Sequence, residues 1–226
     1  MHLMSGFSWS DPPNPTAFAV ARAGYPFIFA SVFTTAVFAL LQMSVPALMG
    51  LAVTFCICCF FRDPDRVIPN YPGAVVSPAD GKIVFAGPVD NSRFVEGSCI
   101  KISIFMSIFN VHVNRVPYEG RIKAVNYYPG KFFSANLNKA SKYNEHNAIF
   151  VEAEDGKNIC TVQIAGLIAR RIICNVQKGD DVARGQRFGL ICFGSRLDVY
   201  LPPDTRLNVA VGNTVKAGTS VLGNLI

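Results

Sequence analysis

The distribution of apolar and polar residues divides the chain into two parts with different patterns. Residues 23–61 contain no charged side chain and are mostly apolar. From residue 69 onward, short segments rich in β-branched and aromatic residues alternate with Gly, Pro, Asn and Asp, a pattern typical of strands joined by turns. The sequence therefore predicts an apolar helical segment followed by a β-rich domain.

The apolar segment is too long for one straight helix across a bilayer. A continuous helix over residues 24–61 would be roughly 55 Å long, whereas the hydrocarbon core is about 30 Å thick. Polar residues and a proline, which suits the first turn of a helix, lie together at residues 42–46. We therefore predict a helical hairpin that either spans the membrane or is re-entrant. A secretory signal peptide lacks the observed length, and a core hairpin of a soluble protein rarely lacks charge over such a run.

Basic residues flank the predicted hairpin at both of its ends. Arg22 precedes it, and Arg62 and Arg66 follow it. Because both ends of a hairpin face the same side, the positive-inside rule places the rest of the chain at the cytoplasmic face of the cell membrane. The net charge of +6 and the mean hydropathy of +0.31 suit a membrane surface. No nucleic-acid-binding motif is present, so we expect membrane lipid and no nucleic acid as partner.

The strand pattern predicts a mostly β (α+β) fold. Expected strands are residues 82–86, 99–106, 122–128, 148–153, 159–165, 187–192, 197–201, 207–211 and 220–222, with a short helix near 135–141. The turn-rich segments 177–186 and 210–219 resemble each other, as in the barrel-sandwich folds of biotinyl and lipoyl carriers. No lysine lies in the exposed hairpin sequence that a carrier modifies, so we interpret the repeat as scaffold. We expect a tail at residues 1–22, the hairpin at 23–61 and a barrel-sandwich-like domain at 62–226.

The chain has seven cysteines, an odd number scattered through the apolar segment and the predicted strands. A disulfide framework favours an even set in a small secreted chain. We therefore expect reduced, buried cysteines and no metal site.

Three short motifs carry candidate chemistry. Asp80 lies in the turn Ser-Pro-Ala-Asp-Gly-Lys, where an aspartate commonly bonds its own backbone. His112 lies in the apolar run Asn-Val-His-Val-Asn-Arg-Val-Pro, and it is either a core histidine or a proton-transfer group. Gly194 and Ser195 lie in Phe-Gly-Ser-Arg-Leu-Asp-Val-Tyr-Leu-Pro, which lacks the Gly-x-Ser-x-Gly elbow of hydrolases. Each motif alone is compatible with an ordinary turn or core position.

Taken together and in this order, the three motifs resemble those of the phosphatidylserine decarboxylase family, most closely its short bacterial and archaeal-type members. The resemblance covers residues 61–226. It implies an enzyme that converts phosphatidylserine to phosphatidylethanolamine with release of CO2. It also implies self-cleavage between Gly194 and Ser195, giving a β chain of residues 1–194 and an α chain of residues 195–226, with Ser195 converted to a pyruvoyl group.

The resemblance further implies roles for individual residues. The pyruvoyl group from Ser195 would form a Schiff base with the substrate amine, with neither pyridoxal phosphate nor a metal. His112 would protonate the carbanion after CO2 leaves, and Asp80 would help orient the base that activates Ser195. Longer family members carry a second histidine three residues after the first, where this chain has Arg115. Either His112 serves both steps or another group, such as His146, activates Ser195.

Substrate contacts and alternative functions complete the expectations. Arg196 and Lys82 are candidates for the lipid phosphate by their charge, and Asn144 lies in a stretch that resembles a family segment near the substrate pocket. The expected partners are phosphatidylserine, membrane lipid and the second chain of an α/β heterodimer, and a higher oligomer stays open. The alternatives are a decarboxylase of a related phospho-amino-acid headgroup and a non-catalytic, membrane-anchored barrel-sandwich adaptor.

Overall fold

The structure is a computed structural model, and it describes residues 20–132, 144–166, 171–192 and 195–226. The expected helix near residues 135–141 and Gly194 of the expected cut lie outside the described residues. The helices are a 3-10 turn (Arg22–Gly24), α1 (Tyr25–Leu40) and α2 (Ser44–Phe60). The strands are β1 (Ala74–Val76), β2 (Gly81–Asp90), β3 (Ser98–Met106), β4 (Val113–Arg115), β5 (Gly120–Tyr128), β6 (His146–Glu152), β7 (Asn158–Ala165), β8 (Ile172–Cys174), β9 (Asp181–Val182), β10 (Arg187–Ile191), β11 (Ser195–Leu201), β12 (Arg206–Leu207), β13 (Thr214–Val215) and β14 (Val221–Asn224).

The two helices form the predicted hairpin. They are joined by a turn at residues 41–43, in which Gln42 adopts a positive φ of 57°. Ser31 Oγ lies 2.6 Å from Thr54 Oγ1 across the pair. A Cβ atom on Gly50 would lie 2.5 Å from Thr35 Oγ1, so the glycine lets the helices approach closely. Such small-residue contacts are typical of helices that pack inside a bilayer.

The outer surface of the hairpin is apolar and uncovered. Many of its large side chains face outward, among them Phe29, Leu40, Leu48 and Phe55. Within the described part of the chain, one helical segment, Arg22–Leu40, is long and apolar enough to cross a membrane, and α2 is apolar but shorter. An apolar surface of this kind is compatible with membrane association.

The β domain is built around one large antiparallel sheet. Its eight strands follow the order β13-β2-β3-β11-β7-β6-β5-β9 and curl into a half-barrel. Two three-stranded sheets, β1-β14-β12 and β4-β10-β8, complete the domain. Strand β11 lies between β3 and β7, where Ser195 is opposite Met106 on one side and Ala165 on the other. The predicted fold class, β-rich with a helical hairpin in front, is confirmed.

The alternation of side chains along the central strands gives the large sheet two faces. The inner face carries the main core, including Ile102, Leu197 and Val199. The outer face carries a second cluster that includes Val162 and Tyr200. Because neighbouring residues of a strand point to opposite faces, Ser195 belongs to the inner face and Arg196 to the outer one.

Two short segments of similar sequence begin the strands that lie next to the two edge strands of the large sheet. Residues 78–83, Pro-Ala-Asp-Gly-Lys-Ile, open β2, and residues 117–122, Pro-Tyr-Glu-Gly-Arg-Ile, open β5. Strand β2 pairs with β13 at one edge, and β5 pairs with β9 at the other. Strands β9 and β13 lie within the similar segments 177–186 and 210–219, so that repeat is part of the scaffold.

The predicted strands agree with the structure except near the end of the chain. Residues 207–211 were expected to form a strand, but β12 covers Arg206–Leu207 and the chain turns at residues 211–212. Strands β1, β4, β8, β9 and β13, each of two or three residues, were not predicted. Segments this short show no periodicity that a sequence pattern can reveal.

Candidate active site

One end of the large sheet brings together the residues of all three motifs. Strand β2 begins directly after Asp80, β3 ends at Met106, and β11 begins at Ser195. The chain then passes from Met106 through a short turn to His112, whose carbonyl accepts a hydrogen bond from Ile191 N–H at 3.4 Å. Because Ile191 ends β10, four residues before Ser195, the backbone of His112 is held to the segment that leads to the expected cut.

Ser195 is fully buried, and its hydroxyl has a weak partner. Its Oγ lies 3.4 Å from the sulfur of Met106, the residue opposite it on β3. A thioether is a poor hydrogen-bond acceptor, so this contact orients the hydroxyl without holding it strongly. The serine hydroxyl is therefore available to a stronger acceptor.

A chain of amide side chains supports the Met106 sulfur from the other side. Asn114 Nδ2 lies 3.8 Å from that sulfur, and Asn114 Oδ1 accepts from Gln163 Nε2 at 2.9 Å. Gln163 Oε1 in turn accepts from Asn147 Nδ2 at 3.1 Å. All three amides are buried, and buried polar groups that satisfy each other fix one arrangement. The motifs alone did not reveal this network, although Gln163 is a polar residue between the apolar Val162 and Ile164.

The imidazole of His112 is held in one tautomer, with its lone pair on Nε2. Its Nδ1 lies 2.9 Å from the carbonyl oxygen of Asn110, and because a carbonyl can only accept, Nδ1 carries the hydrogen. The lone pair is therefore on Nε2, which is buried and has no hydrogen-bond partner within the described residues. Burial is the main reason that the pKa of His112 falls to about 4, and the nearby Arg62 lowers it further. The side chain is thus neutral at physiological pH.

The base of the helical hairpin packs directly on His112. The ring of Phe60, at the end of α2, lies with its centroid 4.2 Å from the imidazole centroid. Phe60 and Phe61 share an apolar cluster with Val111, next to His112 in the chain, and with Cys192, three residues before Ser195. The apolar hairpin and the candidate site are therefore one continuous structure.

Asp80 has two hydrogen-bond partners in the described part of the chain, and neither is a histidine. Its Oδ1 accepts from the backbone N–H of Ala217 at 2.7 Å, and its Oδ2 accepts from Arg66 at 3.0 Å. The carboxylate therefore ties the start of β2 to the segment after β13. It lies at the same end of the sheet as Ser195, because Gly81 packs against the carbonyl of Phe105, where an added Cβ would lie 2.2 Å from that oxygen.

Arg115 cannot replace the second family histidine as a base. Its guanidinium donates to the carbonyls of Gly185 at 2.9 Å and Pro64 at 3.1 Å, and it pairs with Asp63 at 3.5 Å. Burial, with the neighbouring Arg187, lowers the pKa of Arg115 to about 10. The group is still a cation at neutral pH, so its function in this structure is to join loops.

Replacing Arg115 by methionine should lower the free energy of unfolding by about 3 kcal/mol or more, because the change removes one partner of a buried ion pair. Once folded, the variant should still be cut, since a permanent cation is not the base. Thermal unfolding and denaturing mass spectrometry measure the two effects. Arg121→Met is the matched control, because its ion pair with Asp181 is exposed and 3.9 Å long, and should change stability little. A folded but uncut Arg115→Met chain would contradict this interpretation.

Arg196 faces away from Ser195 and is already paired. It is buried on the outer face, where it binds Asp198 at 2.6 Å and Ser103 at 2.8 Å, and Asp198 also binds Lys101 at 3.0 Å. A guanidinium that is enclosed and neutralised in this way is not free for a lipid phosphate. The phosphate contact expected for Arg196 thus finds no support in the structure.

The remaining candidates lie near the same end of the sheet. Asn144 is buried and donates from Nδ2 to the carbonyl of Ala165 at 2.7 Å, which positions the strand partner of Ser195. Lys82 is exposed on β2. His146 aligns in register with Ile164 and Arg196, so its side chain belongs to the outer face, opposite Ser195. The structure therefore offers His112 rather than His146 as the base.

Comparisons with known proteins show the family of this chain. A family model described as phosphatidylserine decarboxylase matches residues 53–223. The chain is 52% identical over 206 residues to the phosphatidylserine decarboxylase proenzyme of Syntrophus aciditrophicus (strain SB), covering 90% of this chain and 96% of that protein. It is 48% identical over 207 residues to the phosphatidylserine decarboxylase proenzyme of Desulfotalea psychrophila, covering 92% of this chain and 97% of that protein. The chain belongs to the phosphatidylserine decarboxylase family.

Family membership covers both parts of the chain. A further relative, the phosphatidylserine decarboxylase proenzyme of Nitrosomonas eutropha, is 47% identical over 215 residues, covering 95% of this chain and 98% of that protein. At that coverage, the similarity includes residues of the hairpin as well as the β domain.

Within the described residues, no group of three or more His, Cys, Asp or Glu side chains is arranged to hold a metal ion.

Proposed function

We propose that this chain is a self-processing decarboxylase that converts phosphatidylserine to phosphatidylethanolamine and CO2 at the cytoplasmic face of the cell membrane. One observation carries the proposal. The buried serine hydroxyl, which has a weak partner, lies at the same end of the sheet as a neutral imidazole whose Nε2 has no partner among the residues that the structure describes. Membership of the phosphatidylserine decarboxylase family supports the substrate.

Self-cleavage would use the chain's own residues. His112 Nε2 takes the proton of Ser195 Oγ, and the oxygen attacks the carbonyl carbon of Gly194. The bond from that carbon to the nitrogen of Ser195 breaks as the nitrogen receives the proton, which leaves an ester. Removal of the Cα proton of Ser195 then expels the carboxylate of Gly194, and water releases ammonia from residue 195. Because His112 is neutral and its lone pair is on Nε2, the ring is in the form that can take this proton.

The surroundings of Ser195 fit the pyruvoyl group that these steps would produce. The group supplies a carbonyl that binds the substrate amine and withdraws electrons as CO2 leaves. A carbonyl oxygen accepts hydrogen bonds, and Asn114 Nδ2 is a donor whose partner within the described residues is the weak acceptor sulfur of Met106. Asn114, fixed by Gln163, is therefore our candidate to hold that oxygen. His112 is our candidate to hold the proton that replaces CO2.

The two chains produced by the cut should stay together. Residues 195–201 form β11, which pairs along its length with β3 and with β7 in the middle of the large sheet. Strands β12 and β14 of the same α chain pair with each other, and β14 also pairs with β1. The α chain of residues 195–226 thus pairs with strands of the β chain in two sheets, which supports an α/β heterodimer.

The hairpin supports a lipid substrate rather than a soluble one. Its apolar outer surface ends at Phe60, whose ring contacts His112. A phospholipid in the bilayer could therefore present its headgroup to the site without leaving the membrane. Arg22, Arg62 and Arg66 at the base of the hairpin favour the cytoplasmic side, and the exposed Lys82 is our candidate contact to the lipid phosphate.

Denaturing mass spectrometry with a CO2-release assay tests the proposal. The purified protein should give two chains, residues 1–194 and residues 195–226, the second beginning with a pyruvoyl group. Vesicles that contain carboxyl-labelled phosphatidylserine should release labelled CO2. A single chain of 24.6 kDa without CO2 release would favour the adaptor. A cut chain that releases CO2 from another phospho-amino-acid lipid, but not from phosphatidylserine, would favour the related decarboxylase.

A further inference from the structure

The turn between β3 and β4 displays two uncovered apolar side chains. Ile108 is 47% exposed and Phe109 is 80% exposed. The turn is not a loose loop, because Asn110 Oδ1 accepts from both the backbone N–H and the hydroxyl of Ser107, each at 2.9 Å. Asn110 N–H donates back to the carbonyl of Ser107 at 3.0 Å. The structure therefore holds an isoleucine and a phenylalanine outward on a rigid turn.

The same turn is tied to the base of the hairpin. Arg62 donates through Nη1 to the carbonyl of Cys59 on α2, and through Nη2 to the carbonyl of Phe109, both at 2.6 Å. One guanidinium thus fixes the turn at the level where α2 ends. Phe60 adds a second link through its contact with His112, two residues after Asn110.

We infer that Ile108 and Phe109 form a second membrane contact, which enters the boundary between headgroups and acyl chains of the bilayer that holds the hairpin. The inference rests on the proposed membrane location of the hairpin. The occupant is lipid because the turn continues the uncovered apolar surface of α1 and α2, and because an arginine lies beside it at the level of the headgroups. The turn also connects Met106, the neighbour of Ser195, to His112. Its insertion would therefore hold the reacting residues at headgroup depth.

Tryptophan fluorescence in vesicles tests the position of the turn. In a Trp9→Phe background, single tryptophans are introduced as Phe109→Trp in the turn, Phe29→Trp on the hairpin and Glu154→Trp in the exposed β6–β7 turn. The β6–β7 turn and the Ser195 end of the sheet lie at opposite ends of strand β7, so about 25 Å separates them along the strand direction. The vesicles contain phosphatidylcholine, phosphatidylglycerol and a phosphatidylcholine with a nitroxide near the headgroup.

We expect the nitroxide lipid to quench the tryptophans at positions 109 and 29, while aqueous acrylamide quenches the one at position 154. Strong acrylamide quenching at position 109 together with lipid quenching at position 29 would overturn this inference and leave the membrane location intact. Protection of position 109 from both quenchers would also overturn it, since another protein surface would then cover the turn. Absence of lipid quenching at position 29 would contradict the membrane location itself.

Activity on two forms of substrate gives an independent readout. The double variant Ile108→Ser, Phe109→Ser should be cut normally, and in proteoliposomes it should lose about tenfold or more of its activity on long-chain phosphatidylserine. Its activity on a short-chain, water-soluble phosphatidylserine should not change. Val211→Ser, at an exposed apolar position in another turn, should behave as the unmodified protein on both. Equal losses on both substrates, or no loss on the long-chain one, would contradict the inference.

Discussion

Replacing Ser195 by alanine should leave the chain in one piece of 24.6 kDa and abolish CO2 release from phosphatidylserine. The variant lacks the oxygen that would attack Gly194, so neither the ester nor the group that follows from it can form. Folding should not suffer, because within the described residues the hydroxyl makes a single weak contact, to the sulfur of Met106. Denaturing mass spectrometry and the CO2 assay measure both effects on the same preparation.

A second buried serine provides the matched control. Ser77 is as fully buried as Ser195, and its hydroxyl donates to the carbonyl of Ala79 at 2.7 Å. Ser77→Ala should lower stability through the lost hydrogen bond, but it should still be cut at the same place. Cleavage of the Ser195→Ala chain at its original position would show that the oxygen of Ser195 is not the nucleophile, and the proposed function would then fail at its first step.

The parts of the fold that could be predicted from the sequence depend on local patterns. The hairpin is visible because a long uncharged run is interrupted by polar residues near Gln42, and the turn indeed falls at residues 41–43. The long strands are visible because apolar residues and turn residues alternate along them. Alternation also determines that Arg196 faces away from Ser195, so a phosphate contact for Arg196 beside the serine could have been questioned from the sequence.

The arrangement of the site could not be predicted, because it depends on strand order and register. Ser195 meets Met106 because β11 pairs with β3 over residues far apart in the chain. Asn114 and Gln163 meet through separate strands of different sheets. The partners of Asp80 and Arg115 also come from distant loops, and the similarity to the family's motif gave no indication that Arg66 would bind Asp80.

These distant contacts give Arg115 a structural role at the position of the second family histidine. The guanidinium of Arg115 joins residues 63–64 to Gly185. A permanent cation therefore connects these loops at the position where longer family members have a histidine. The similar segment at residues 117–122 also contains an ion pair. Glu119, which corresponds to Asp80, pairs with Arg184. Within the described residues, two imidazoles have an unpartnered Nε2, and His146 lies on the outer face of the large sheet, so His112 is our candidate base.

Replacing His112 by alanine should therefore slow both self-cleavage and decarboxylation, each by about a hundredfold or more, since a positioned base or acid commonly contributes that much. His146→Ala is the matched control. That histidine is also buried, with Nδ1 at 2.6 Å from the carbonyl of Asn144 and Nε2 without a partner among the described residues, but it lies on the outer face. Mass spectrometry of newly made chains and CO2 release from the cut enzyme separate the two steps. Normal cutting with lost decarboxylation would confine His112 to the second step and require another base for the first.

The pH dependence of the cut gives a sharper test of the same role. A general base must be unprotonated, and burial lowers the pKa of His112 to about 4. The cleavage rate should therefore stay level as the pH falls from about 8 to about 5, and should decline only as it approaches the pKa of His112. An exposed histidine with a pKa of about 6.5 would instead lose its base form from that pH downward. The rate can be followed in a cell-free translation that is transferred to buffers of different pH. A decline centred near the ordinary histidine pKa would mean that the base is solvated during cleavage, and that the buried Nε2 is not the group that activates Ser195.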